Sequence, residues 1–443
     1  MKAILITSFH PLISRNILST PLIDLLISGG VRVILAVPEN KTGFFESEFI
    51  RDGVSVAGVS RDLTRRDRIL RYLALAALGT RALAIKRKSD MGGSGALLTR
   101  LIANRPLARR AIRALDAVIT PRGRFSALLG RERPDIVFST DVQNENDVRL
   151  IREAKRRHIP VVGMVRSWDN LTAKGLIRVV PDRLIVHNEI IKGEAVKLHG
   201  ISEDKISVVG IPHYDRYLTG PAHQREQFCG QLNLDPAKRF VIYAPVGDRY
   251  LRENKVDREI IDLIVSFLPP SHHLIVRLPP MDSVVLDNRP DFPNVTVMRP
   301  GKQLSRNKVM FRNNELTLQD DELLRDMLFY CDLVVSGPST FIIDAAVFDK
   351  PIILVGFDGD TTPPYYESIR RYWDYDHMRS IISSGGARFA RSKEELAAWA
   401  RRYLNDASLD RADRRRIATE YCWRLDGQSS QRLVDALNHV CGQ

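Results

Sequence analysis

Five small residues, Ser336-Gly337-Pro338-Ser339-Thr340, lie between two apolar runs and bring together groups that can hold an anion. The run before them, Asp332 to Ser336, carries paired valines and reads as a buried strand. Gly337-Pro338 stops it, and Ser339 or Thr340 can cap a helix that ends near Asp349-Lys350. Pro351 then opens a second apolar run, PIILVGF. A hydroxyl-rich loop at a helix start leaves backbone N–H groups open, and the helix dipole favours negative charge there, so a phosphate fits. Asp344, one turn into the helix, is placed to accept hydrogen bonds from a ribose. The same pattern also fits a capped helix in any α/β protein. Arg277 ends another apolar run, HLIVRL, where an unpaired charge is costly. It calls for a phosphate or an internal carboxylate.

These groups need a scaffold. A chain of 443 residues exceeds the usual single-core limit of roughly 250–300, so two domains are expected. Short apolar runs alternate with helical stretches through the first 215 residues: KAILITSF, VRVILAV, VSVAGV, DIVFST, PVVGMV, RLIVH and ISVVGI. The rhythm resumes with FVIYAPV, HLIVRL, VTVM, LVVS and PIILVGF. The expected fold is α/β, of GT-B type: two Rossmann-like doubly wound domains facing a cleft. The first spans 1–215, a linker 216–238, the second 239–415, and a C-terminal helix 416–443. In such sheets ligands bind outside the carboxyl ends of the strands. His10, in SFHPLIS after the first strand, then falls on the acceptor side, unless it is structural. The polar run Asp141 to Asp147 follows the strand DIVFST and reads as a solvated loop.

Net charge is +13, and most of it is local: Arg61 to Arg113 holds fourteen Lys+Arg and three acids, a balance of +11. This basic insert breaks at Met91 to Gly95, and Pro106 can start a further helix. Arg61, Arg65, Arg68 and Arg71 share one helical side, and Ile69, Leu70, Leu73 and Ala77 another. The charge points to an anionic surface. A solvated hairpin would need no partner, and nucleic acid is disfavoured by a single aromatic, Tyr72, and the lack of a known motif. Leu and Ala interleaved with Arg suit a bilayer interface, with Leu70 and Leu73 inserting. Four scattered cysteines form no metal spacing and read as reduced thiols. The opening MKAILITSF reads as a strand rather than a signal peptide. There is no Walker loop and no GxGxxG; Asp358-Gly359-Asp360 is a DxD by spelling, and a loop role suits it better.

An ordered series of segments over about 155–440 resembles the CDP-glycerol glycerophosphotransferases, the teichoic-acid polymerase type. VVGIPHYDRYL (208–218) is similar to their GxPRxDxL, VIYAPVGDRYL (241–251) to LYAPTWR, and LIVRLPP (274–280) to KxHP. DLVVSGPSTFIIDAAVFDKPIILVGFD (332–358) matches DxLITDYSSxxFDFxxLxKPIxFxxxD, and LDGQSSQRLVDAL (425–437) the terminal DGxASxRxxxxL. SWDNLTAKG (167–175) lies where they carry TWHGTPLKKLG. The resemblance implies a GT-B fold and a nucleotide-activated donor used in making bacterial surface polymers. It puts the donor diphosphate on 336–340, with Arg277 the nearest charged group where the KxHP histidine would stand; Lys302, in RPGKQLS, is read from its own position as a group that can touch the donor base.

The family's two histidines are absent. One aligns with Asp169, the other with Leu278-Pro279. An aspartate suits a general base that takes the acceptor hydroxyl proton during inverting glycosyl transfer. It also suits a cap on a helix opening at Asn170. Asp169 is thus the candidate catalytic residue, with Asn170 beside it on the acceptor side. The leaving nucleoside diphosphate can be met by a helix N-terminus and an arginine, with no metal and no bound cofactor. The expectation is a metal-independent glycosyltransferase on the inner face of a membrane, with a nucleotide-sugar donor and a lipid-linked or polymeric acceptor. A glycerophosphotransferase, a sugar-nucleotide 2-epimerase and a non-catalytic scaffold subunit are the alternatives.

Overall fold

The computed structural model describes residues 1–442 apart from 61, 91–94, 249–250, 252–254, 285, 287–291 and 305–313. Arg61 and most of the expected break in the insert therefore lie outside the described residues. The chain divides into two compact units, 1–218 with 421–443, and 219–420.

In the first unit the seven apolar runs become seven strands. They are β1 (Ala3–Thr7), β2 (Arg32–Pro38), β3 (Val54–Val59), β4 (Ile136–Ser139), β5 (Val161–Met164), β6 (Arg183–Val186) and β7 (Ile206–Val208). All pair in parallel, in the order β3-β2-β1-β4-β5-β6-β7. β1, β4 and β5 are buried along their whole length, because helices cover both faces of such a sheet. That is why they read as unbroken apolar runs.

In the second unit β8 (Arg239–Ala244), β9 (His272–Arg277) and β10 (Val295–Met298) come first. A two-stranded antiparallel ribbon follows, β11 (Lys302–Gln303) with β12 (Asn314–Glu315). Then come β13 (Cys331–Ser336), β14 (Ile352–Val355) and β15 (Arg388–Ala390). The parallel sheet runs β10-β9-β8-β13-β14-β15. Its last strand, Arg-Phe-Ala, opens on an arginine and buries only Ala390, so no apolar run marks it in the sequence. Both sheets are doubly wound, and each reverses direction beside its own first strand, between β1 and β4 and between β8 and β13. Doubly wound sheets bind ligands at that switch point, past the strand carboxyl ends.

The basic insert forms four helices: α1 (Arg65–Ala76), α2 (Arg81–Ser89), α3 (Ala96–Ile102) and α4 (Pro106–Ile119). Thr64 and Asp67 make a capping box on α1, Thr80 caps α2, and α4 opens on Pro106. One expectation fails here. Leu70 and Ala77 are fully buried, and Ala74, Ala77, Leu78, Leu83, Ile112 and Leu176 form one core cluster on which Leu73 packs. The apolar side of α1 faces the protein, because α4 and the segment around Leu176 cover it.

Four basic residues of the insert are staples. Lys86 donates to the Ala173 carbonyl at 3.2 Å and Arg87 to Leu75 at 3.4 Å. Arg109 donates to Leu198 at 2.8 Å and Arg113 to His199 at 2.7 Å. These carbonyls close helix C-termini, where cations are favoured. Arg149 of α5 (Glu145–Arg156) meets Asp67 in a buried ion pair, Nε to Oδ1 at 2.8 Å. It ties the insert to the sheet layer.

The region read as a linker over 216–238 holds the end of a 3-10 helix, Pro212–Thr219, and an α-helix, Arg225–Leu232. The C-terminal region read as one helix is two, Arg411–Cys422 and Ser429–Cys441. The second belongs to the first unit, where the backbone N–H groups of Ser429 and Ser430 donate to Asp215 at 3.0 and 2.8 Å. No helix among the described residues is long and apolar enough to cross a membrane.

Candidate functional site

The second unit places the small-residue loop at its switch point. Ser336 ends β13, and the Gly337 N–H donates to the Ala244 carbonyl that ends β8, at 2.9 Å. A Cβ on Gly337 would lie 2.9 Å from the Val246 Cα, so only glycine permits this approach of two backbones. The opposing loop is itself held. Asp257 accepts from Val246 N at 2.8 Å, Gly247 N at 3.0 Å and the Tyr243 hydroxyl at 2.6 Å. Ser339 makes the cap, its Oγ accepting from Phe341 N at 3.2 Å. Thr340 makes no side-chain cap bond and stands exposed at the mouth of α8 (Phe341–Val347). Pro338 is half-buried.

Arg277, at the end of β9, is buried with its guanidinium carbon 5.5 Å from the Phe341 ring centroid. The structure thus brings Arg277 to the loop, as the spacing alone could not. Asp344 is buried on the inward side of α8. Lys302 stands exposed on the ribbon. Asp358 is buried and accepts from Ile369 N at 2.7 Å and from Ser368 Oγ, so it holds its own loop.

The first unit builds its switch point from charge. Thr7 and Thr140 join the ends of β1 and β4, with Thr140 N donating to Thr7 Oγ1 at 2.9 Å. Next comes Asp141, read as solvated in the sequence and buried in the fold. Its Oδ2 accepts from Arg166 Nε at 2.8 Å and lies 3.9 Å from Lys174 Nζ. Its Oδ1 accepts from Gln143 N at 3.2 Å and Asn170 Nδ2 at 3.4 Å. Burial alone would raise this carboxyl, but the Lys174 and Arg166 charges prevail and hold it below its ordinary value. Asp147 is buried too, accepting from Thr7 at 2.5 Å and from Ser139 at 2.9 Å. Burial and then the Asp141 charge push it up to about 8. Two neighbouring carboxyls are therefore driven apart, one ionised and one protonated. Lys174 is pushed down to about 8 by burial and then by Arg166.

Asp169 and Asn170 sit at the start of α6 (Asn170–Ala173). Asp169 occupies the N-cap position without a side-chain capping bond, half-buried and within the field of Lys174. Asn170 is fully buried and serves Asp141. His199, at the end of α7 (Glu189–His199), holds this short helix. Its Nδ1 accepts from Ile177 N at 3.1 Å, so Nε2 carries the proton and donates to the Leu171 carbonyl at 3.0 Å. Burial pushes that imidazole down to about 4.

A small pocket opens at the same edge, lined by Thr140, Arg166, His187 and His213 among mostly apolar side chains. Ile13 and Ile17 of the segment after β1 line it as well, whereas His10 does not. The His10 Nδ1 instead accepts from Leu12 N at 3.3 Å within its own turn. His187 is pushed down to about 4 by burial and then Arg166, and His213 lies well below its ordinary value for the same first reason. His213 stacks edge-on to Tyr214 at 4.4 Å, and its Nδ1 has no hydrogen-bond partner among the described residues. Sequence reasoning missed Arg166, Lys174, His187 and His213. The available signal was position, since each follows the end of an apolar run.

The family profile of CDP-glycerol:poly(glycerophosphate) glycerophosphotransferases matches residues 178–439. Lipid-A-disaccharide synthase from Trichlorobacter lovleyi is 21% identical over 336 residues, 74% of this chain and 80% of that protein. Among solved structures, the UDP-GlcNAc 2-epimerase from Neisseria meningitidis bound to UDP-GlcNAc superposes at a TM-score of 0.58, with 10% identity, covering 99% of this chain and 100% of that one. A glycosyltransferase of kitacinnamycin gives 0.53 at 14% identity, over 99% and 98%. These likenesses carry the GT-B architecture that the two sheet orders display. A profile that spans more than half of the chain carries the lineage: this protein belongs to the CDP-glycerol:poly(glycerophosphate) glycerophosphotransferase family and is a transferase of GT-B architecture.

Proposed function

We propose that the chain is an inverting glycosyltransferase, independent of metal, that moves a sugar from a nucleotide-activated donor to a lipid-linked or polymeric acceptor in surface-polysaccharide synthesis. The observation that carries this reading is Asp169, a half-buried carboxylate at a helix start that makes no capping bond. The family's transfer histidine has become a residue suited to accept a proton. Asp169 takes the proton of the acceptor hydroxyl as that oxygen attacks the anomeric carbon. The sugar–phosphate bond breaks, and its electron pair leaves with the nucleoside diphosphate. The N–H groups of Ser339 and Thr340 and Arg277 meet the charge that develops there, which is the work a metal would otherwise do. Asp344 holds the ribose. Asp141, Arg166 and Lys174 act on the acceptor side by fixing the segment that carries Asp169. The insert 61–113 keeps the enzyme on the inner, anionic face of a membrane, where a lipid-linked acceptor resides.

A second reading, glycerophosphate transfer from CDP-glycerol, is favoured by the family match itself. One experiment separates the two. Binding of uridine and cytidine diphosphates, their sugars and CDP-glycerol is compared by calorimetry, and products on a lipid-linked acceptor are weighed by mass spectrometry. A hexose mass increment from a nucleotide sugar supports the first reading. A glycerophosphate increment from CDP-glycerol overturns it.

A further inference from the structure

Helix α4 presents two unlike faces. Inward lie Ile112 and Asp116, both buried, and the carboxylate of Asp116 meets Arg152 at 2.7 Å and Arg178 at 3.3 Å. Arg109 and Arg113, on that flank, donate to the carbonyls that end α7. These bonds fix the roll of the helix. Outward lie positions 107, 111, 114, 115 and 118, which recur at helical spacing and form one stripe. Leu107 is 77% exposed and Val118 83%, with Leu115 between them. On α3, Leu97 is 71% exposed and Leu101 is exposed as well. Such a stripe of exposed large apolar side chains marks an interaction surface.

The surrounding charge says what covers it. Arg100, Arg105 and Arg110 are exposed on the same two helices and the turn that joins them. Across the described part of the insert nine of the thirteen basic residues are exposed, against the acids Asp62 and Asp90. A second copy of this chain would set two cationic faces against each other. An anionic bilayer takes both parts, its headgroups meeting the arginines and its acyl boundary the leucines.

We propose that α3 and α4 form the membrane-insertion surface, with the stripe Leu107–Leu115–Val118 lying in the headgroup–acyl boundary of an anionic leaflet. The inference rests on the lipid-linked acceptor proposed above and moves the docking surface from α1 to α3 and α4.

The test is co-sedimentation of the full chain with phosphatidylcholine vesicles, with and without phosphatidylglycerol, at low and high salt. The wild type should prefer the anionic vesicles and keep part of its binding in high salt. Leu107→Ser with Leu115→Ser and Val118→Ser should lose that salt-resistant part and weaken at least tenfold. Arg100→Gln with Arg105→Gln and Arg110→Gln should lose about a hundredfold on anionic vesicles, since each cation near such a surface contributes about a fivefold factor. Every variant is checked for binding of uridine and cytidine diphosphates by calorimetry, which reports both folding and the donor site. Lost vesicle binding with intact nucleotide binding in the wild type overturns the membrane inference alone. Intact vesicle binding with neither nucleotide bound overturns the proposed donor reading alone. The inference also falls if the serine variant binds like the wild type while Gln at Arg65, Arg66, Arg68 and Arg71 abolishes binding. It falls if the wild type is a dimer that the serine variant dissociates, or if it binds RNA more tightly than vesicles.

Discussion

The two switch points of this protein solve the same placement problem with different materials. In the second unit the loop after β13 is made of backbone and hydroxyls, with one arginine beside it. Its shape is set by contacts within a few residues and by a glycine pressed on Val246. In the first unit the loop after β4 is made of charge: Asp141 against Arg166 and Lys174, and Asp147 beneath. A backbone site tolerates exposed side-chain changes at little cost in stability. A site of buried charge is a network, and removing one member leaves another uncompensated.

That contrast can be broken most sharply at Asp169. Asp169→Asn keeps shape and removes basicity, so the transfer rate should fall by about 10² to 10⁴ while donor affinity stays the same. Turnover near the wild-type rate would reduce Asp169 to a structural role. Next is Arg166→Met, which strips Asp141 of its closest partner and should cost about 3–5 kcal/mol in urea unfolding. A loss below about 1 kcal/mol would mean that Lys174 alone balances Asp141. The matching change in the other unit is Thr340→Glu, exposed and therefore within about 0.5 kcal/mol of wild-type stability. It should weaken nucleotide binding by at least about tenfold, or ~1.4 kcal/mol, because it sets a negative charge at the diphosphate seat. Unchanged affinity by calorimetry would remove the donor from this loop.

A further consequence is the slope of stability with pH. Unfolded histidines bind protons near their ordinary 6.5, whereas folded His187 and His199 do so only at about 4 and folded His213 well below its ordinary value. Between those values the unfolded state binds more protons, so stability falls as pH drops from 6.5 toward 4. The slope is up to about 1.4 kcal/mol per pH unit for each histidine. Asp147 acts in the opposite sense. Its folded carboxyl keeps a proton up to about 8, so its contribution is lost as pH rises from its ordinary value through that point. Unfolding from pH 4 to 8 should therefore show a maximum near 6.5. Asp147→Asn should flatten the descent above it, and an unchanged descent would place the titration elsewhere.

Strands were legible where burial on both faces writes an unbroken apolar run; β15, Arg-Phe-Ala with only its last residue buried, wrote none. The loop 336–340 was legible for a similar reason, since strand, glycine, cap and helix follow each other directly. The charged switch point was not. Asp141 reads as a surface residue unless its partners are known, and those stand 25 and 33 positions later, after β5. His187 and His213 were hidden because a lone histidine past a strand gives no sign of facing a cavity. The helical wheel of α1 grouped Leu70, Leu73 and Ala77 correctly but misplaced Ile69, which is 57% exposed, and which side meets solvent depends on α4, some 40 residues on.

The staples in the basic insert also bear on modularity. Four arginines and lysines of 61–113 close carbonyls at the ends of helices, two of which, α6 and α7, lie far along the chain. Cutting the segment out would strip those helix ends of their partners and open the cluster around Leu83 and Ile112 to water. The insert cannot be trimmed to make a minimal enzyme or transplanted as an anchor. On the membrane proposal above, the segment that anchors the protein also holds, through Lys86 on the Ala173 carbonyl, the short helix that Asp169 opens.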